Sequence, residues 1–176
     1  MSDTTITTES ASEGRMRPLP FALAAASALL LLGALYFQFV LALPPCPLCV
    51  YQRWAHGAAL ALALAAAWPR MGPMTAGTVT ALAGVAYLFG AGTAFYHAGV
   101  EQHWWEGLAG CVAAPLDTTG ATDLTAALLA VPAARCDEIP WSFLGLSIAG
   151  WNAVASAVLT VAAFAGALRI QDDGRR

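Results

Sequence analysis

Long apolar runs alternate along the chain with short polar or proline-rich breaks. Residues 21–43 carry no Asp, Glu, Lys or Arg, and at roughly 1.5 Å per residue a helix of that length crosses a hydrocarbon core about 30 Å thick. Pro44-Pro45 ends the run, because a proline nitrogen cannot donate to a helix ladder. Residues 50–68 form a second run broken only by Arg53, and Pro69-Arg70-Met71-Gly72-Pro73 turns the chain back. Residues 74–98 and 143–168 are again free of charge. The expected fold is an all-α membrane protein, a four-transmembrane-helix bundle with a short outer loop at 44–49 and a long one at 99–142. The membrane domain is expected over 18–170.

Arginine positions orient the bundle. Arg15 and Arg17 precede the first run, Arg70 separates the second from the third, and Arg169, Arg175 and Arg176 follow the fourth. An excess of arginine marks the cytoplasmic side, so both termini are expected there. The 99–142 loop holds Glu101, Glu106, Asp117, Asp123, Asp137 and Glu138 against Arg135 alone, as an outer loop would. The Ser-, Thr- and Glu-rich residues 1–17 and the tail 171–176 are read as cytoplasmic, the first as disordered. The first run is longer than a secretion signal's apolar stretch of about 7–15 residues and ends in Pro-Pro-Cys, so it is read as retained.

Composition agrees with this picture. Of the 176 residues, 59% are hydrophobic and 11% charged, against about 25% charged in a soluble domain. A net charge of -3 offers nothing to nucleic acid. Many of the apolar residues are Ala and Gly, which let helix backbones approach closely where no hydrophobic effect drives association.

Candidate chemistry lies in the four cysteines, all in the outer loops, where disulfides persist. Cys46 and Cys49 form a Cys-x-x-Cys pair, a spacing that closes a small, readily exchanged ring. Cys111 and Cys136 lie in the long loop. Two structural disulfides are the plain alternative. Zinc is not expected, since the later pair departs from the spacing of a zinc ribbon, and Val50 replaces the histidine that covalent haem attachment requires. No metal site is assigned. Pro47 suits the first turn of a helix, so Cys49 would sit where unpaired amides and the helix dipole stabilise a thiolate. Arg53, one turn on, projects from the same face, and an unpaired arginine facing lipid would cost about 2.5–3.5 kcal/mol or more.

These residues resemble the DsbB family of disulfide-generating membrane proteins. The resemblance covers roughly residues 21–168. It rests on Pro-Cys-Pro-Leu-Cys-Val-Tyr-Gln-Arg (45–53), Tyr-His (96–97), the later cysteine pair, and Trp-Ser-Phe-Leu-Gly-Leu-Ser-Ile-Ala-Gly-Trp-Asn (141–152). It implies a bacterial inner-membrane location and a relay in which a Cys111–Cys136 disulfide oxidises a periplasmic thioredoxin-fold partner of the DsbA type. Freed Cys136 then attacks Cys46, and Cys49 leaves as a thiolate beside a quinone (ubiquinone or menaquinone), with Arg53 and His97 at that site. A vitamin-K-epoxide-type reductase would run electrons the other way, and a disulfide-stapled scaffold would run none. His97 is equally well read as an interfacial anchor. His56 reads more readily as an interhelical hydrogen-bonding residue, and Gln38 and Tyr51 are not taken as catalytic. Trp104, Trp105 and Trp141 fit an aromatic belt, and residues 122–131 a short helix lying on the membrane surface.

Overall fold

The computed structural model describes residues 17–108, 111 and 134–176. The tail before residue 17 and the surface helix expected at 122–131 lie outside the described residues.

Four long helices carry the fold: α1 (Pro18–Phe39), α2 (Pro47–Ala67), α3 (Pro73–Glu101) and α4 (Ile148–Asp173). The first three open on proline within their first two positions, where the missing N–H would have no partner anyway. Helices α1, α3 and α4 are long and apolar enough to cross a membrane. At 21 residues, α2 would be about 31 Å long, but Gln52, Arg53 and His56 break its apolar pattern.

Helices α1 and α2 begin three residues ahead of the apolar runs, and α4 continues to Asp173, five residues beyond the expected end and into the expected tail. Three further departures lie at the cysteine end. First, α1 stops at Phe39, short of Leu43. The amides of Leu41 and Leu43 fold back onto the carbonyls of Tyr36 and Phe37, at 3.3 and 3.0 Å, and Ala42 takes φ 53°. A residue before proline avoids the helical region, so the chain unwinds ahead of Pro44. Second, α3 runs on to Glu101, beyond the expected end at residue 98. The Trp105 indole folds back over Gly99, on the space a Cβ would fill, and donates to the Tyr96 carbonyl at 2.9 Å. Third, residues 143–147 are not helical. Strands β1 (Ser142–Phe143) and β2 (Leu146–Ser147) pair antiparallel around Leu144 and Gly145, whose φ values of 52° and 80° suit the tight primed turn of a two-residue hairpin.

Helix α3 packs most extensively on α4, then on α2, and α2 packs on α1, while α1 and α4 barely touch. The bundle is therefore open along one side. Away from the cysteines, Leu23, Ala24, Ala59, Ala63, Ala83, Tyr87 and Ala163 form a buried cluster, with small side chains setting the close helix spacing. Arg17 ties that end together, donating to the carbonyls of Ala66 and Met71 at 3.3 and 2.7 Å.

Candidate redox site

Cys46 is the residue that caps α2, and its sulfur accepts the Cys49 amide at 3.3 Å. The amide expected to favour Cys49 thus goes to Cys46. The two sulfurs are free and 3.0 Å apart. The hydrogen bond with the Cys49 side chain holds the Cys46 thiol below its ordinary range, and the amides of Cys49 and Leu48 add to this against the opposing effect of burial. In the dithiol form the negative charge accordingly favours Cys46.

Cys111 and Cys136 are joined in a disulfide with Cα atoms 5.0 Å apart. Both are fully buried beside Cys46, Leu48 and Val100. The Cys136 sulfur, that of Cys46 and a ring nitrogen of His97 all lie within 4.8 Å of one another. That spacing could hold a metal ion, but the Cys136 sulfur is already bonded to Cys111. The two groups left fall short of the four ligands a structural zinc takes.

His97, one α3 residue among these sulfurs, is 4% exposed. Its Nε2 lies 3.5 Å from the Cys46 sulfur and 3.9 Å from Oε1 of Glu101. Its Nδ1 meets the Gln52 amide at 3.0 Å. Gln52 in turn accepts from Asn152 at 2.6 Å, and Asn152 Oδ1 is 2.9 Å from Nε2 of His56. His56 is thus the interhelical link between α2 and α4 that its position suggested. Its Nδ1 is buried without a partner among the described residues.

Two cavities adjoin the inner cysteine pair. The smaller, about 210 Å³, is lined by Cys46, Cys49, His97, Glu101, Arg135 and Glu138 among others. The larger, about 550 Å³, opens between α1 and α4, with Leu30, Phe37, Cys49, Arg53, Trp151 and Asn152 in its walls. Cys49 and Gln52 border both, whereas Cys46 borders only the smaller. Arg53 is half-buried. It donates to the Gln38 side chain and, at 3.1 Å, to the Ala34 carbonyl, so its charge is held on α1 at the cavity wall.

A model of the family described as disulfide bond formation protein DsbB matches residues 16–166. The chain belongs to the DsbB family. A disulfide bond formation protein B of Herminiimonas arsenicoxydans is 40% identical over 141 residues, covering 78% of this chain and 86% of that protein. Its counterpart in Nitrosococcus oceani is 38% identical over 139 residues, covering 76% and 80%. That of Saccharophagus degradans is 36% identical over 132 residues, covering 72% and 77%. No solved structure matches the chain. DsbB membership, with three helices able to cross a bilayer, makes this a multi-pass membrane protein of disulfide bond formation.

Sequence reasoning placed Cys46, Cys49, Cys111, Cys136, Arg53 and His97 near one another, and the structure brings all six to one end of the bundle. It missed Gln52, Asn152, Ser147 and Glu101. Glu101 was counted as a surface acid of the outer loop. The available signal was its i,i+4 spacing from His97, which puts both on one helix face.

Proposed function

We propose that this DsbB-family protein is a quinone-coupled oxidoreductase that regenerates a periplasmic dithiol oxidase of the thioredoxin fold. In this reading α2 is the fourth span, the membrane is the bacterial inner membrane, both termini are cytoplasmic and the cysteines face the periplasm. The observation that carries it is the position of Cys49, which borders both cavities. Cys46 lies beside Cys136 on one side and Cys49 on the other, so thiol exchange can pass inward along a row of sulfurs.

A thiolate of the partner attacks Cys111, and the freed Cys136 attacks Cys46, displacing Cys49. Each step makes one disulfide bond and breaks another, and is favoured by a stabilised leaving thiolate. The partner's second thiol then displaces Cys111, which leaves the partner oxidised, and Cys111 attacks Cys136 to release Cys46. An oxidised outer pair facing a free inner pair is the state these steps reach.

The larger cavity suits a quinone. Its volume falls within the range of about 300–1,000 Å³ common for small-molecule sites, and such sites are mostly apolar with a few placed polar groups. Arg53, held by Gln38 and the Ala34 carbonyl, supplies a fixed positive charge beside Cys49. His97 sits on the other side of the pair and belongs to the cysteine-facing cavity. Bound in the larger cavity, the quinone would take up the electron pair and two protons.

Purified protein supplied with ubiquinone and a reduced thioredoxin-fold dithiol protein should form quinol catalytically. Turnover that survives Cys49→Ser would overturn the reading.

A further inference from the structure

Among the described residues Glu101 is the one buried acid, with its side chain 2% exposed. Burying a carboxylate is costly unless partners compensate. Its Oε2 accepts from the Ser147 hydroxyl, which also caps α4 by accepting the Gly150 amide at 3.0 Å. One oxygen is thereby fixed at a helix N-terminus, where the dipole favours negative charge. Oε1 is turned toward His97, 3.9 Å from the same Nε2 that lies 3.5 Å from the Cys46 sulfur.

The Gln52 oxygen accepts from Asn152, which leaves the Gln52 amide N–H to donate to Nδ1. The ring proton of neutral His97 is then on Nε2, between the sulfur and the carboxylate. Two groups that can each be anionic face a single N–H, and like charges sharing a site oppose each other's ionisation.

We propose that Glu101 is a redox-linked proton carrier for Cys46, ionised while Cys46 is held in a disulfide and protonated when Cys46 is released as a thiolate. The inference rests on the relay reading above. In the step that closes the outer pair, the Cys111 sulfur attacks Cys136 of a Cys46–Cys136 disulfide. The Cys111–Cys136 bond forms and the Cys46–Cys136 bond breaks. Cys46 leaves as a thiolate, and the proton of the Cys111 thiol passes to the Glu101 carboxylate. One negative charge moves from carboxylate to sulfur, with no net change in charge or electrons. When Cys46 next forms a disulfide with Cys49, its charge is withdrawn and Glu101 gives up the proton.

Among the described residues, no other ionisable group facing Glu101 takes this role. From α3 there is His97. The start of α2 brings Cys46 and Cys49, and β2 and the start of α4 bring only Ser147. The segment before β1 brings Arg135 and Glu138, and Arg135 is committed to Asp137 at 2.6 Å and to Glu138 at 3.1 Å.

The test is the pH dependence of Cys46 alkylation by iodoacetamide in the reduced full-length protein, in detergent without quinone or partner. Glu101→Gln keeps an acceptor for Ser147 but removes the charge, and should lower the alkylation midpoint by about one pH unit. Glu101→Asp keeps the charge and should stay near the wild-type midpoint. An unchanged midpoint in folded Glu101→Gln overturns the proposal, and so does an equal fall in Glu101→Asp, which would assign the effect to packing. Because the assay needs no turnover, its outcome is separate from that of the quinol measurement.

Discussion

The two ends of the bundle are built on opposite rules. Away from the cysteines, alanines interlock and the polar groups close on themselves. Ser27 meets the Tyr87 hydroxyl at 2.6 Å, and that hydroxyl donates to the Leu23 carbonyl at 2.9 Å. At the cysteine end, Gln52, His56, His97, Glu101 and Ser147 are buried, and two cavities interrupt the packing. The first arrangement holds helices together with little chemistry to offer. The second gives up packing for a connected set of polar groups around sulfur. Buried polar networks of this kind stabilise only when each member is satisfied, and His56 Nδ1 has no partner among the described residues.

That division can be broken from either side. The largest effect is expected at the cysteine end. Cys136→Ala should abolish turnover, a loss of at least about a thousandfold, because the only sulfur near Cys46 that can carry the exchange inward is gone. Cys111, left as a free thiol, should instead attack the partner supplied in its disulfide form and hold it as a mixed disulfide, the partner's second sulfur leaving as a thiolate. Absence of that adduct on a non-reducing gel of a folded variant would contradict Cys111 as the sulfur that meets the partner.

Arg53→Met should come next. It keeps the length of the side chain but removes the charge held at the larger cavity, and a lost interaction of about 1.4–2.8 kcal/mol would cost roughly 10- to 100-fold. The loss should appear in kcat/KM for quinone, while exchange between the outer pair and the partner in a single turnover is unaffected.

At the opposite end, Ala83→Leu forces extra volume into a site that is fully buried. Overpacking of this kind costs about 1–3 kcal/mol. The thermal midpoint in detergent should fall while the activity per folded molecule is retained; a specific loss of activity instead would show that the two ends are not separable.

The smallest effect concerns the anchor beside Cys136. The hydrogen bond from Arg135 holds the Asp137 carboxyl below the usual carboxylate range. A depressed folded-state value contributes stability above the unfolded value of about 3.9, and that contribution is lost as pH falls through the depressed one. Reduction of the Cys111–Cys136 disulfide by a phosphine should therefore quicken slightly, by less than about threefold, on acidification below about pH 4. Asp137→Asn should remove the pH dependence.

Much of this molecule could be read from local pattern. Charge-free runs located the helices, because a bilayer admits few unpaired charges. Pro47 marked the start of α2, since its missing N–H is harmless there. The errors came where a competing local signal or a remote contact overrode the apolar pattern. Apolar character ran on past Phe39 and began again at Phe143, yet the first stretch unwinds before a proline pair and the second folds into a hairpin. Glu101 looked like a solvated acid because nothing beside it in sequence shows Ser147 bonding to it from the far end of the long loop.

The amino-acid order alone determined the membrane character of the chain, the approximate limits of its helices and the Cys46–Cys49 pair as candidate chemistry, since each follows from residues next to one another or one turn apart. Only the tertiary structure decided that Arg53 is held on α1 and that Glu101 is buried against Ser147. Both are set by segments far apart in the chain, and their meeting depends on how four helices pack.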